Sequence, residues 1–183
     1  MTGGDVTGRA NAVLRQRWGA TYSLRPFQAR VIKALLAGQD AIVVSGTGSG
    51  KSLCFQLPPL LEDYGVAVVV SPLISLMRDQ CAALEQMGVR ATLLGSAQTD
   101  PQAERRALAG EASLIFVCPE SLPRLLAAGL AGLREGGDRP MWVAVDECHC
   151  VSRWGHVKKT HDSLCLIRFC PAVSMAVSIS ADS

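Results

Sequence analysis

The chain has 183 residues, of which 49% are hydrophobic and 19% charged, so it can form one domain with a sizeable core. Its formal net charge of +2 neither indicates nor excludes a polyanionic partner, because local patches matter more than the sum. No apolar run resembles a secretory signal or approaches the roughly 18 residues of a membrane span, so we expect an intracellular protein without a membrane partner. Seven cysteines, an odd number, favour reduced thiols over a disulfide framework.

Apolar runs and helical segments alternate along the chain. After a tail over residues 1–17, helices are predicted over 27–37, 51–57, 74–87, 101–109 and 121–128. Strands are predicted at 41–45, 66–71, 91–94, 114–117 and 141–145, and the glycine-rich stretch 129–140 is predicted to be a loop. Asp100 ahead of Pro101 is typical of a helix N-cap. The alternation predicts a doubly wound α/β sheet with buried parallel strands.

A glycine-rich turn, VVSGTGSGKSLCFQLP at 43–58, connects the first predicted strand to the next helix. Backbone N–H groups of such a turn converge on phosphate oxygens, while Lys51 reaches the β- and γ-phosphates and the Ser52 hydroxyl binds Mg²⁺. Ser45 stands where the usual pattern has its first glycine. The loop residues expected to hold the nucleotide are Gly46, Thr47, Gly48, Ser49 and Gly50. The pattern predicts a nucleoside triphosphate site, and by itself it leaves a kinase, a GTPase or a motor open.

In MWVAVDECHC at 141–150, two adjacent carboxylates, Asp146 and Glu147, follow the apolar run MWVAV. Asp146 at a strand tip can hold Mg²⁺, and Glu147 beside it can orient and deprotonate an attacking water. A pair of acidic residues at a strand end is otherwise most simply a solvated turn. Together with the phosphate loop, however, it predicts nucleotide hydrolysis.

The run Asp146-Glu147-Cys148-His149 resembles the DEAH/DExH box of superfamily 2 helicases. The resemblance implies a RecA-like P-loop domain with a mostly parallel sheet and helices on both faces. It also implies that His149 connects the γ-phosphate site to a second motor domain, although a lone histidine is more often a packing or surface residue.

Further stretches resemble RecQ-like DNA helicases, and two of them, LGSAQ at 94–98 and CVSRWGH at 150–156, resemble the plant SIM type. LRPFQ at 24–28 is similar to the family's motif 0, which implies that Arg25 and Gln28 contact adenine and that Trp18 or Tyr22 stacks on it. The alternative for Gln28 is a place on the exposed face of a helix. VVVSPLISLMRDQ at 68–80 is similar to motif Ia, which implies that Ser71 contacts single-stranded DNA; the same stretch also has the pattern of an amphipathic helix.

CVSRWGH at 150–156 resembles the start of the RecQ aromatic-rich loop, which implies that Arg153 and Trp154 contact single-stranded DNA. A loop tryptophan is otherwise usually a packing residue. The family continues with Asp-Phe-Arg-Pro, whereas this chain has VKKT at 157–160, and the resemblance resumes at 171–183. A zinc site is a further alternative, but its spacing matches no standard cluster; its candidate ligands are Cys148, Cys150, His156, His161, Cys165 and Cys170.

The sequence is therefore identified as a RecQ-like ATP-binding domain over residues 18–183, with no second RecA-like domain in the chain. The resemblance implies an ATP-dependent 3′-to-5′ DNA helicase of recombination and repair that uses ATP and Mg²⁺, acts on single-stranded or tailed duplex DNA, and is nuclear if eukaryotic. The alternative is a truncated product that binds nucleotide or DNA without unwinding. A small-molecule kinase is disfavoured because kinases need no Asp-Glu-x-His box. The oligomeric state stays open.

Overall fold

The computed structural model describes residues 5–46, 48–62, 65–96, 98–130, 133 and 140–146 with their side chains, and residues 162–170 by their backbone. The helices are α1 (Val6–Trp18), α2 (Pro26–Leu36), α3 (Leu53–Gln56), α4 (Pro58–Leu61), α5 (Ile74–Gln86), α6 (Ala103–Leu108) and α7 (Leu122–Ala127). The strands are β1 (Ala41–Gly46), β2 (Val66–Val70), β3 (Ala91–Leu94), β4 (Leu114–Val117), β5 (Met141–Val145) and β6 (Asp162–Cys170). No helix within these ranges is both long and apolar enough to cross a bilayer.

The described strands form one sheet in the order β1-β6-β5-β2-β4-β3. Strand β2 pairs in parallel with β4 and β5, and β3 pairs in parallel with β4. Strand β6 runs antiparallel to both of its neighbours, β1 and β5. Because β2 and β5 are in register, with Val70 opposite Val145, the residues that follow both strands meet at the same edge of the sheet.

Helices cover both faces of the sheet, because alternate side chains of a strand point to opposite faces. On one face, helices α2, α3 and α5 pack Leu35, Phe55 and Met77 against Trp142 of β5. On the other face, helices α6 and α7 contribute Ala107 and Leu125 to a second cluster. The predicted α/β fold, a mostly parallel sheet flanked by helices, is confirmed.

Three of the five predicted strands, β3, β4 and β5, have the predicted bounds. The predicted helix 51–57 is shorter in the structure, where α3 spans Leu53–Gln56, and a second helix that was not predicted, α4, begins at Pro58, which has no N–H to continue α3. Asp100 does not cap α6 itself: its carboxylate accepts a hydrogen bond from the backbone N–H of Gln102 at 2.9 Å, and the helix begins after that turn. The predicted loop 129–140 supplies two core residues, Leu130 and Leu133.

The expectation that all predicted strands are buried and parallel is wrong for β1. In the structure β1 is an edge strand, paired antiparallel with β6, and its Ile42 and Val44 side chains are 68% and 61% exposed. The reason is that a short apolar run looks the same whether its strand is central or at an edge. The strand β6, which pairs with β1, was not predicted at all.

Helix α1 lies largely within the predicted tail. Its N-terminus is capped by Asp5, whose side chain accepts a hydrogen bond from the N–H of Gly8 at 2.9 Å. Ala10 and Leu14 are four residues apart and therefore lie on one face of α1. They are buried in a cluster with Ile32 of α2 and Leu57, which precedes α4. The short apolar stripe of α1 thus adds a small third cluster to the core.

Candidate nucleotide-binding site

The phosphate loop connects β1 to α3 and depends on two glycines with positive φ. Gly48 has φ 76° and Gly50 has φ 87°, conformations that other L-residues adopt only at a cost. At Gly50 the space is also limited, because a Cβ there would lie 2.7 Å from Nε2 of Gln28. The spacing of glycines in the sequence therefore has a direct geometric cause at this turn.

Lys51 lies under the loop with its ammonium group enclosed. Its Nζ donates hydrogen bonds to the carbonyl oxygens of Ser45 at 2.7 Å and of Gly46 at 2.9 Å, and the residue is buried. Burying a charged group without such partners is costly, so these two carbonyls hold the positive charge at the base of the loop. The loop thus folds around the ammonium group of Lys51.

The stretch 24–28 is attached to the loop by two side chains. Gln28 accepts a hydrogen bond from the backbone N–H of Arg25 at 2.8 Å and donates one from Nε2 to the carbonyl of Gly50 at 2.9 Å. The Arg25 guanidinium donates to the carbonyl of Ser49 at 3.0 Å. Gln28 is only 4% exposed, so the alternative that it lies on an open helix face is wrong.

The two aromatic candidates for stacking on adenine differ in their surroundings. Trp18, at the end of α1, packs against two of the apolar clusters. Tyr22 is 52% exposed and lies in the short connection that leads to Arg25 and α2. Of the two rings, Tyr22 is therefore the more exposed.

Asp146 and Ser71 follow β5 and β2, the two strands that end in register. The backbone N–H of Asp146 donates to the carbonyl of Val70 at 2.9 Å, and the residue is buried. Ser71 is also buried: its N–H donates to Val117, and its hydroxyl accepts a hydrogen bond from the N–H of Leu73 at 3.4 Å. The hydroxyl of Ser71 therefore shapes the turn into α5, and the exposed groups of that turn belong to Leu73 and Ile74.

Several predicted site residues lie outside the described part of the chain. They are Thr47, Glu147, His149, Arg153 and Trp154, and their roles stay predictions. The side chains of the alternative zinc ligands lie outside it as well.

Sequence reasoning missed one polar residue near the loop, Gln56. Its side chain is 8% exposed, and its Nε2 donates to Oε1 of Gln80 at 3.1 Å. A glutamine within the otherwise apolar run LCFQLP was the available signal, because a buried amide needs a hydrogen-bond partner.

Burial raises the pKa of the Cys54 thiol, two residues after Ser52, to about 12. Burial raises the pKa of the Cys81 thiol to about 12 as well, with a smaller contribution from the nearby charge of Glu85. Both thiols are therefore protonated at neutral pH and act as small apolar groups of the same core cluster.

A glycine-rich loop with an enclosed lysine between a strand and a helix, together with an aspartate after the end of β5, defines a P-loop nucleotide-binding domain. The sequence pattern of DEAD/DEAH box helicases matches residues 25–181. The chain belongs to this family.

The curated relatives that it matches include RecQ-type helicases. It is 46% identical over 153 residues to the ATP-dependent DNA helicase Q-like SIM of Arabidopsis thaliana, an alignment of 84% of this chain and 17% of the relative. It is 41% identical to the ATP-dependent DNA helicase RecQ of Haemophilus influenzae, over 80% of this chain and 23% of that protein. It is 39% identical to the ATP-dependent DNA helicase Q1 of Rattus norvegicus, over 82% of this chain and 25% of that protein. The chain thus spans no more than a quarter of the length of these relatives.

Among solved structures, the crystal structure of the DUF1998 helicase MrfA aligns with a TM-score of 0.62 and 19% identity, over 81% of this chain and 24% of that one. The same helicase bound to DNA aligns with a TM-score of 0.51 and 22% identity, over 66% of this chain and 18% of that one. At these identities the likeness concerns the fold.

Proposed function

We propose that this chain is the ATP-binding and ATP-hydrolysing domain, over residues 18–183, of a RecQ-type DNA helicase that moves 3′-to-5′ on single-stranded DNA and separates duplexes in recombination and repair. The observation that carries the proposal is the enclosed ammonium of Lys51 beneath a loop whose glycines take positive φ. This is the arrangement that a triphosphate needs, because its charge must meet a fixed cation and converging N–H groups. The relatives named above are ATP-dependent DNA helicases, and in a eukaryote the protein would work in the nucleus.

In the proposed site, Lys51 holds the β- and γ-phosphates once its bonds to the Ser45 and Gly46 carbonyls are exchanged for phosphate oxygens. The donor set for Mg²⁺ fits a hard cation, because the Ser52 hydroxyl opens α3 and the Asp146 carboxylate follows β5, and both supply oxygen. When bound, Mg²⁺ neutralises charge on the phosphates during transfer. Glu147 orients and deprotonates the attacking water, and His149 links the γ-phosphate to a second motor domain.

We assign adenine recognition to Tyr22, Arg25 and Gln28. The exposed ring of Tyr22 supplies the stacking face. The Gln28 amide already accepts from Arg25 and donates to Gly50, so it would offer adenine its second N–H and its remaining lone pair. Because Gln28 also holds the Gly50 carbonyl, a base bound by this amide would act directly on the phosphate loop.

DNA contact is assigned to the turn that begins at Ser71 and to Arg153 and Trp154. Backbone groups at a strand-to-helix turn suit phosphate oxygens, and a tryptophan ring with a neighbouring guanidinium suits an unstacked base. Buried Ser71 would shape this contact through the turn it closes, together with exposed Leu73.

One observation favours a second candidate, a product that binds nucleotide without driving a motor. Strand β6 begins opposite Gly46 at the nucleotide edge of the sheet and ends opposite Met141 at the far edge. The stretch in which the chain departs from the family pattern, from residue 157 on, thus supplies a strand that lies between β1 and β5, the two strands that lead to Lys51 and Asp146. Coupling of hydrolysis to movement would be lost in such an arrangement.

The test is calorimetric titration of Mg·ATP into the purified chain and two matched variants. Lys51→Ala removes the cation under the loop and is expected to weaken binding at least tenfold. Lys33→Ala removes an exposed lysine of α2 and is expected to leave binding unchanged. Equal affinity in the parent and in Lys51→Ala would refute the assignment of the phosphate site.

A further inference from the structure

Helix α3, which follows the phosphate loop, is joined to α5 by a hydrogen bond between two side chains. Nε2 of Gln56 donates to Oε1 of Gln80 at 3.1 Å. Gln56 is 8% exposed and Gln80 is half-buried, so the bond is largely shielded from water. A shielded amide pair is specific in direction and distance, and losing one partner leaves the other unsatisfied.

Each partner is connected rigidly to one of the two ligand sites. The backbone N–H of Gln56 donates to the carbonyl of Ser52 at 3.0 Å, so Gln56 lies one helical turn from the residue that closes the phosphate loop. Gln80 lies on α5, whose first residue, Ile74, directly follows the turn that begins at Ser71. A displacement of either helix end therefore moves its glutamine with it.

The apolar contacts around this pair are less directional. Cys54 and Phe55 of α3 share a core cluster with Met77 and Cys81 of α5. Apolar surfaces can slide by small amounts with little change in energy, whereas a hydrogen bond weakens steeply when its angle or length changes. The amide pair is thus a directional contact between α3 and α5.

We propose that Gln56 and Gln80 form a positioning pair that couples nucleotide binding at the phosphate loop to single-stranded DNA binding at the Ser71 turn. The inference rests on the proposed function, since it presumes both ligands. Coupling of this kind is reciprocal: each ligand raises the affinity of the other by the same factor.

The test measures that factor with the 183-residue chain. The affinity for a fluorescent, non-hydrolysable ATP analogue with Mg²⁺ is titrated with and without saturating single-stranded oligothymidylate at fixed salt. The parent chain is expected to bind the analogue about fivefold more tightly with DNA. Gln80→Leu, which removes the acceptor, is expected to bind each ligand alone as the parent does but to show a factor near one.

Two variants separate positioning from a general structural effect. Gln80→Glu keeps an acceptor for Nε2 of Gln56 and is expected to retain the coupling. Gln86→Leu makes the same change at an exposed position of α5 and is expected to retain it too. Thermal melts confirm that all variants are folded.

Retained coupling in Gln80→Leu would overturn the proposal, and so would its equal loss in Gln86→Leu. If the parent chain binds both ligands without coupling, this inference fails while the proposed nucleotide and DNA sites stand. If the parent chain binds no ATP analogue, the proposed function itself fails and the positioning pair with it.

Discussion

Gln28 and Gly50 contact each other in two ways. The Gln28 amide donates a hydrogen bond to the Gly50 carbonyl at 2.9 Å, and the nitrogen of this amide occupies the space that a side chain at Gly50 would need. A conformational requirement and a packing requirement therefore coincide at one residue of the phosphate loop.

Gly50→Ala is expected to destabilise the chain, because φ 87° is unfavourable for alanine and the new methyl group would displace Gln28. The expected loss in the free energy of unfolding is about 1 to 2 kcal/mol, measured by urea denaturation. Gly46→Ala is the matched control, because a Cβ there meets nothing within 4 Å. Equal stability of the two variants would contradict the geometric argument.

Tyr22→Ala is expected to weaken ATP binding by roughly 1 kcal/mol or more, since a base loses its stacking partner, while the melting temperature stays near that of the parent. Trp18→Ala is expected to lower the stability of the fold instead, because it removes a side chain that packs against two core clusters. Tyr22→Phe, which keeps the ring, should bind ATP as the parent does. A larger loss of ATP affinity in Trp18→Ala than in Tyr22→Ala, at equal stability, would reverse the assignment.

Glu147→Gln is expected to bind Mg·ATP with unchanged affinity and to lose at least about 10²-fold of any ATP turnover, because the amide keeps the shape of the side chain but cannot accept the proton of the attacking water. Calorimetry and phosphate release measure the two properties separately. Turnover equal to that of the parent would show that Glu147 is not the base.

The free energy of unfolding is expected to fall as the pH rises from about 9 toward 12. The pKa values of Cys54 and Cys81 are raised by burial from 9.0 to about 12, so in this window the unfolded chain loses protons that the folded chain keeps. Below pH 9 both states hold these protons, and the contribution is fully present. In Cys54→Ala/Cys81→Ala the slope of stability against pH should be smaller, as urea titrations at several pH values can measure. An unchanged slope would assign the alkaline loss to other groups.

A polypeptide of these 183 residues alone is expected to bind single-stranded DNA weakly and with strong salt dependence, and not to unwind a 3′-tailed duplex. A P-loop motor without its arginine finger loses about 10³ to 10⁵ in turnover, and translocation requires two domains that close on ATP. At saturating ATP its rate of phosphate release should also respond little to DNA, because VKKT at 157–160 replaces part of the aromatic-rich loop. Strand displacement and phosphate release at fixed salt measure these properties.

Sustained unwinding would contradict the need for a second domain. Restoring Asp-Phe-Arg-Pro after His156 in a two-domain polypeptide would isolate the effect of the loop.

Local patterns predicted the strands β3, β4 and β5 and the phosphate loop well. A short apolar run between turn residues is typical of a buried strand, and the spacing of the glycines determines the backbone conformation of the loop. They could not predict that β1 lies at an edge, since its partner β6 comes more than a hundred residues later and follows a stretch that departs from the family pattern. They also could not show that the Ser71 hydroxyl faces inward or that Gln56 meets Gln80, because both facts depend on how distant elements pack. Helix α1 was not predicted, because its apolar stripe is short.

The edge position of β1 makes the support of the phosphate loop one of the less protected parts of the sheet. A peripheral strand with two exposed apolar side chains can open without disturbing the central strand β2, whose five residues are all buried. Amide hydrogens of β1 should therefore exchange with solvent deuterium faster than those of β2 in the ligand-free protein. A triphosphate bound by the loop at the end of β1 would slow this exchange. The exchange rate of β1 would therefore report whether nucleotide is bound.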